Sequence, residues 1–288
     1  MPDQHGAHLG PPTLEFVGTA TTILRLGPFT LLTDPNFLHR GQRAYLGKGL
    51  WSKRLTEPSM QPRQLPELDA VVLSHLHGDH FDRVARRGLD RALPVLTTTA
   101  AARRLHRWGF SSAEGMHTWQ STQLRRAGHR LAITAVPGTH APGPLSRLLP
   151  PVMGSVVELT DPLGEVFRLY LSGDTLYRPM LREVADRCGP LDAAVLHLGG
   201  TRALGVVLTM GGEQGAGITR RAADHASDRH GRRAAPVLLE GGRDLLHGMP
   251  DGQQVEIREV DLLAGPEILV ADVAAADHGR RRIGRERL

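Results

Sequence analysis

Cysteine is nearly missing: Cys188 stands alone among 288 residues, so no disulfide can form within the chain. A reducing compartment is the expectation. A lone cysteine of this kind reads as a small buried filler, not as a nucleophile. Long apolar runs are missing too. No stretch approaches the roughly 18 residues that a membrane-spanning helix needs, which leaves only peripheral contact with a membrane surface open. Residues 1–12 are polar and rich in Gly, Pro and His, without the apolar segment of a signal peptide, so a soluble cytoplasmic protein is expected. Aromatic residues make up only 4%, and the basic residues form no dense stripe. Both facts argue against a nucleic-acid partner, which needs cations and stacking rings along one track. There is no repeat of fixed period. The glycine pairs 211–212 and 241–242 lack the lysine of a phosphate-cradling loop. Neither Ser74 nor Cys188 lies in a motif for nucleophilic catalysis.

What remains is an ordinary globular composition, 40% hydrophobic and 23% charged. The formal net charge is +5, carried almost wholly by scattered arginines. A positive field of this sort favours encounter with an anionic substrate. The organisation expected is a flexible leader over 1–12, one domain over 13–271 and a disordered Ala/Asp/Arg-rich tail over 272–288.

Residues 13–26 read as extended structure broken at Gly18, and residues 29–33 as a short strand that delivers Asp34 to a loop. Residues 36–66 show no period. They mix Arg40, Arg43, Lys48, Lys53 and Arg54 with Tyr45, Leu46, Leu50 and Trp51, and so read as a functional flap or a self-packed surface loop. Residues 69–74 (DAVVLS) have the composition of a buried strand. Helices are expected over 83–91, 99–108 and 213–229, and further strands over 93–97, 131–136, 155–159, 167–171, 193–198, 236–239 and 255–260. Strands alternating with helices predict an α/β fold.

The run His75-Leu76-His77-Gly78-Asp79-His80 puts three imidazoles and a carboxylate directly after the 69–74 strand. Such ligands suit zinc, iron, nickel or manganese. In a tight turn eased by Gly78, His75 and His77 can share one ion while Asp79 and His80 turn to a second. His197 lies within an apolar strand and reads as a hydrogen-bonded residue of the core or the site's surroundings. His106, His117, His129, His225 and His230 read as surface.

HLHGDH preceded by DAVVLS resembles the signature of the metallo-β-lactamase fold superfamily. The similarity is greater to the branch containing N-acyl-phosphatidylethanolamine phospholipase D and L-ascorbate-6-phosphate lactonase. Three segments carry it: Thr33-Asp34-Pro35-Asn36-Phe37, Pro66-Glu67-Leu68-Asp69-Ala70-Val71 and Ser172-Gly173-Asp174-Thr175. The resemblance covers residues 14–265 and implies a four-layer αβ/βα sandwich. It further implies His75, His77 and His140 as ligands of a first metal, Asp79 and His80 as ligands of a second, and Asp174 as the bridge between them. Asp34 would orient the metal loop by hydrogen bonds.

One departure stands out. The family carries a further histidine late in the chain, where this sequence reads Pro236-Val237-Leu238-Leu239-Glu240-Gly241-Gly242. Leu238 cannot bind a metal. Glu240, Asp244 or His247 could fill the position, the second ion could be weakly held, or activity could be lost; a weakened second site is the expectation. The expected function is a metal-dependent hydrolase using one or two ions, zinc first, with manganese, iron or nickel as other choices. An activated hydroxide, held and oriented by Asp79, would attack a phosphodiester or a related ester or lactone in a small-molecule or lipid-like anionic substrate. The alternatives are a nuclease-like enzyme and a non-catalytic interaction protein that keeps the fold. The sequence leaves the oligomeric state open.

Overall fold

A computed structural model describes residues 10–47, 49–140, 149–176, 182–197, 202–203, 206–207, 235–239 and 254–256. The strands β1 (Thr13–Gly18), β2 (Thr21–Leu26) and β3 (Phe29–Thr33) form an antiparallel meander. A two-stranded hairpin of β4 (Arg43–Gly47) and β5 (Leu50–Lys53) follows. The strands β6 (Ala70–Val72), β7 (Val95–Thr98) and β8 (Ala113–Met116) then add in parallel beyond β3. Between them run α1 (Arg83–Gly88) and α2 (Thr99–Arg107).

A second antiparallel meander holds β9 (Ser121–Arg126), β10 (His129–Pro137), β11 (Met153–Thr160) and β12 (Val166–Leu171). After α3 (Arg182–Cys188), β13 (Ala193–His197) pairs in parallel with β12. The short strands β14 (Arg202–Ala203) and β15 (Val206–Val207) pair with each other. Next, β16 (Ala235–Leu239) pairs in parallel with β13, and β17 (Gln254–Glu256) pairs with β1. The result is a seven-stranded sheet ordered β17-β1-β2-β3-β6-β7-β8 and a six-stranded sheet ordered β16-β13-β12-β11-β10-β9.

Alternating side chains explain the layering, because successive residues of a strand face opposite sides. Leu14, Leu24, Leu31 and Val72 of the first sheet meet Leu131, Ile133, Val157 and Leu169 of the second in one apolar cluster. On the first sheet's other face, Ile23, Leu32, Val71 and Val95 pack against Ala85, Ala102 and Leu105 from α1 and α2. On the second sheet's other face, Val156, Tyr170 and Leu196 pack with Val184 of α3. Helix, sheet, sheet and helix form four layers, the sandwich implied by the sequence. Truncating a residue fully buried between the sheets, such as Ile133, is expected to cost about 2–5 kcal/mol.

The parallel pairing of β3 with β6, and of β12 with β13, places the C-terminal ends of these strands along one edge. Both sheets meet there, joined by Met153 N–H donating to the Ser74 carbonyl at 3.2 Å.

The sequence reading missed several elements. Residues 36–66 hold the β4–β5 hairpin and a short 3-10 turn at Pro62–Gln64, not an unstructured flap. It also missed β8, β9 and α3. The sequence of β9, STQLRR, is mostly exposed and polar and ends on two arginines, as suits an edge strand that must not pair further. The expected helix at 213–229, the tail 272–288 and residues Glu240, Asp244 and His247 lie outside the described residues, as does most of the leader 1–12. Among the described residues, no helix is long and apolar enough to cross a membrane.

Candidate metal centre

Asp34 is the first residue after β3, and its N–H still donates to Val72 of β6 at 3.1 Å. Its φ of 37° lies in the left-handed region, which Asp tolerates better than most residues. That bend turns the carboxylate under the neighbouring strand end. Oδ1 accepts from Ser74 N–H at 2.7 Å, and Oδ2 accepts from Ser74 Oγ–H at 2.9 Å and from His80 Nδ1 at 2.9 Å. A carboxylate only accepts, so the proton of His80 sits on Nδ1 and its Nε2 faces the site. Ser74 Oγ has given its proton to Asp34 and therefore accepts from His75 Nδ1–H at 3.0 Å. His75 Nε2 is then a lone pair, also facing inward.

The HLHGDH turn is held from outside by other residues. Asn36 Nδ2 donates to the Gly78 carbonyl at 3.0 Å. Asn36 is itself fixed by Arg54 Nη1 at 2.7 Å and by Thr21 Oγ1, which accepts from its N–H at 2.8 Å. Asp82 caps α1 through Val84 and Ala85 N–H, and its other oxygen accepts from Phe37 and Leu38 N–H at 2.6 and 2.7 Å. Gly78 N–H donates to the Tyr45 carbonyl at 2.8 Å. A Cβ on Gly78 would lie 2.7 Å from the backbone N and O of Tyr45, so glycine is required by the approach of the β4–β5 hairpin.

From the second sheet come His140, in the loop after β10, and Asp174, after β12. Thr139 N–H donates to Thr175 Oγ1 and Leu176 N–H to the Thr139 carbonyl, both at 2.8 Å, which ties these two loops together. Gly173 has φ of 57°, and a Cβ there would lie 2.7 Å from that of Ser74. Glycine thus lets Asp174 close onto the turn.

The structure brings five of the six sequence-predicted ligands into convergent groups. His75, His77 and His140 form one, and His75, His80 and Asp174 another, the ligand atoms of each lying within 4.8 Å of one another. His77 Nδ1 is 2.9 Å from His75 Nε2 and 3.1 Å from His140 Nε2. His80 Nε2 is 3.1 Å from Asp174 Oδ1. Asp79 belongs to neither group, although it follows the same turn. His197 sits nearby as a buried polar residue: its N–H donates to Ser172 Oγ at 2.9 Å, and its Nε2 is 3.7 Å from Asp34 Oδ2. Asp34, His80 and His197 make a third convergent group. Leu238 lies on β16 in register with Leu196, one residue short of the Leu239–His197 pair.

Burial dominates the electrostatics. It pushes His75 well below the ordinary imidazole range and His77 down to about 3, helped by neighbouring imidazoles. Burial pushes Asp79 up to about 6. Burial alone would lower His80, but Asp174 and Asp34 hold it well above the usual value. Burial alone would raise Asp174, yet His80 brings it well below the carboxylate range.

A divalent cation fits this arrangement. Asp79 Oδ1 is buried without a hydrogen-bond partner. Inward-facing imidazole nitrogens crowd within hydrogen-bond distance, where lone pairs facing lone pairs call for a positive centre. Neutral imidazoles with carboxylates are the donor set of zinc and its first-row neighbours.

Sequence reasoning named the candidate ligands but not their supports. Thr21, Asn36 and Asp82 received no role there, and Arg54, read as one of the flap's outward bases, is instead buried against Asn36. Asp82 had one legible signal, an Asp just before a helical segment, the usual N-cap position.

The described geometry has counterparts. Residues 30–223 match the family model of the beta-lactamase superfamily domain. A UPF0173 metal-dependent hydrolase of Deinococcus radiodurans is 29% identical over 65% of this chain and 71% of its own. The N-acyl-phosphatidylethanolamine-hydrolyzing phospholipase D 1 of Caenorhabditis elegans is 25% identical over 64% of this chain and 52% of its own. The chain spans about half the length of the curated relatives it matches first. The crystal structure of a possible metal-dependent hydrolase from Veillonella parvula has the same fold, with a TM-score of 0.64 at 18% identity, covering 86% of this chain and 100% of that one. With the four-layer sandwich, the HLHGDH turn and the family match all in hand, this chain belongs to the beta-lactamase superfamily, in its metallo-β-lactamase form.

Proposed function

We propose that the chain is a metal-dependent hydrolase, one domain over 13–271, that cleaves a phosphodiester or a related ester or lactone bond in a small-molecule or lipid-like anionic substrate. The observation that carries this reading is the meeting of His75, His77 and His140 with no acid among them. Buried neutral imidazoles with converging lone pairs have no reason to be held together unless a cation joins them. His75, His77 and His140 would hold one ion, and Asp79, His80 and Asp174 a second. Zinc is the expected metal, with manganese, iron or nickel as further fits. When bound, such an ion lowers the pKa of water to about 7 and offsets charge growing on oxygen in the reaction.

The chain's own residues supply the rest. Asp34 and Ser74 fix the rings of His80 and His75 so that each Nε2 points into the site. Asp79 Oδ1, buried without a hydrogen-bond partner, can accept a proton. It can take one from the attacking water and return it to the leaving oxygen. The second ion is held less tightly than the first, because Leu238 stands where the family has a ligand. The phospholipase name of one relative supports a lipid-like substrate, and the hydrolase name of another supports the reaction class.

Elemental analysis of the chain, purified without added metal and then equilibrated with zinc or manganese, tests the reading alongside turnover of a soluble aryl phosphodiester and a lactone. One tightly held ion per chain, a second only at excess metal, and hydrolysis of one of the two substrates are expected. A folded chain that retains no ion and cleaves neither substrate would overturn it.

A further inference from the structure

We infer that the β4–β5 hairpin is a docking tip for the surface of an anionic phospholipid bilayer. The register pairs Tyr45 with Trp51 and Arg43 with Lys53. Alternation along each strand puts these four side chains on one face. Ala44, on the opposite face, is buried, whereas all four are exposed. Tyr45 is 48% exposed and Trp51 58%, their ring centroids 4.8 Å apart. Leu55, just past β5, is 57% exposed. Among the described residues, the large exposed hydrophobics are these three and Leu163 alone. Concentrating three of them on one hairpin and the residues just past it is unfavourable in water and calls for a partner.

The arrangement matches the layers of a bilayer surface. Tyr and Trp settle at headgroup depth, where an apolar ring body and a polar edge are both accommodated. One row behind them, Arg43 and Lys53 stand where lipid phosphates would be, and exposed Arg83 lies beside Arg43, its Nη1 donating to the Arg43 carbonyl at 3.4 Å. Nucleic acid fits less well. The two rings are tilted at 52° against each other and leave no open platform between them for a base, and the cations form one short row, not a track. The hairpin is also seated on the ion-binding turn, through Tyr45 O and Gly78 N–H at 2.8 Å. Docking would therefore bring that turn to the headgroups. Docking itself stands apart from the hydrolase reading, whereas its use in reaching a lipid-like substrate rests on it.

The test is co-sedimentation of the full chain with vesicles of phosphatidylcholine, alone or with phosphatidylserine, in low and high salt. Salt-sensitive binding to the serine-containing vesicles is expected. Arg43→Gln and Lys53→Gln should each weaken it by about fivefold. The double change Tyr45→Ser with Trp51→Ser should abolish it with the thermal midpoint unchanged, since these side chains are exposed. Tryptophan emission should shift to the blue on binding in the parent and much less in Trp51→Phe. Absence of vesicle binding, or equal binding by the double variant, overturns the inference. So does Trp51-dependent retention of a single-stranded oligonucleotide without vesicle binding, or a Trp51-dependent dimer without it. Turnover of a soluble substrate by a chain that ignores vesicles sinks the docking alone. Vesicle binding by a chain that holds no ion sinks the hydrolase reading alone.

Discussion

His75, His77 and His140 meet with no acid among them, while a few ångströms away His80 is gripped by two, Asp34 and Asp174. Both groups are buried at the same sheet edge. Burial drives His75 and His77 towards neutrality, and His77 stays uncharged down to about 3. In the second, two carboxylates outweigh burial and keep His80 charged well above the usual range. The second group thus carries a cation of its own: the imidazolium offsets part of the charge that a second ion would offset. The first has no such internal substitute. On the proposed reading, the two halves of one centre therefore differ in their dependence on metal, the imidazole group needing the ion and the acid-bound group tolerating its loss.

The largest effect should come from His77→Ala. Loss of the ring that faces both His75 and His140 is expected to remove the tightly held ion, weakening binding by more than the 10–100-fold typical of outer supporting residues. Metal per chain after dialysis measures it, and full retention of the ion would break the comparison. Next comes Asp174→Asn. In chelator-treated protein it should cost about 3–5 kcal/mol in urea melts, because it leaves a buried imidazolium short of a partner. His77→Ala should cost the chelated protein clearly less. Equal costs would mean that the two groups do not differ in the way argued here.

Acidity separates them further. Histidines of the unfolded chain titrate near 6.5, whereas His75 and His77 remain neutral in the fold well below that. Between about 6.5 and about 3 the unfolded chain binds more protons, so the metal-free fold loses stability as pH falls, by about 1.4 kcal/mol per pH unit for each such group. His80 has the opposite sign: its stabilisation is complete below about 6.5 and is lost as pH rises through its raised folded value. Urea melts of chelated protein across this range should show a shallower acid limb in His77→Ala than in the parent. The smallest effect is expected from Asp34→Asn, which leaves every proposed ligand in place but loosens His80 and Ser74. Isothermal titration with zinc should show a 10–100-fold loss at the weaker ion, whose ligand His80 is held by Asp34 directly, and a smaller one at the tighter ion, reached only through Ser74 and His75; an equal or larger loss at the tighter ion would join the two groups into one.

The sequence carried the two groups unequally. His75, His77 and His80 were legible because one short turn contains them. His140 and Asp174 came through resemblance, since what brings them to the candidate centre is the common direction of the β10 and β12 ends, not their neighbours in the chain. The supports were out of reach for the same reason. Asn36 is bonded to Gly78 and Arg54, and Asp82 to Phe37 and Leu38, across long separations that no local pattern records. The α/β class followed from alternating strands and helices and the four layers from the resemblance, but β9 escaped because an exposed edge strand lacks an apolar face. The β4–β5 hairpin escaped because its large rings, Tyr45 and Trp51, face outward, the reverse of the pattern that marks a half-buried strand.

The bond between Gly78 and Tyr45 runs from main chain to main chain. It asks nothing of the side chain at position 45, only that a carbonyl be presented at that point of a hairpin. A lineage can therefore rewrite the outward residues of residues 43–53 one by one, changing what the molecule touches, while the turn that carries His77 keeps its clamp. Glycine at 78 is the fixed term of that bargain, and the hairpin works as an exchangeable cassette seated on a constant socket.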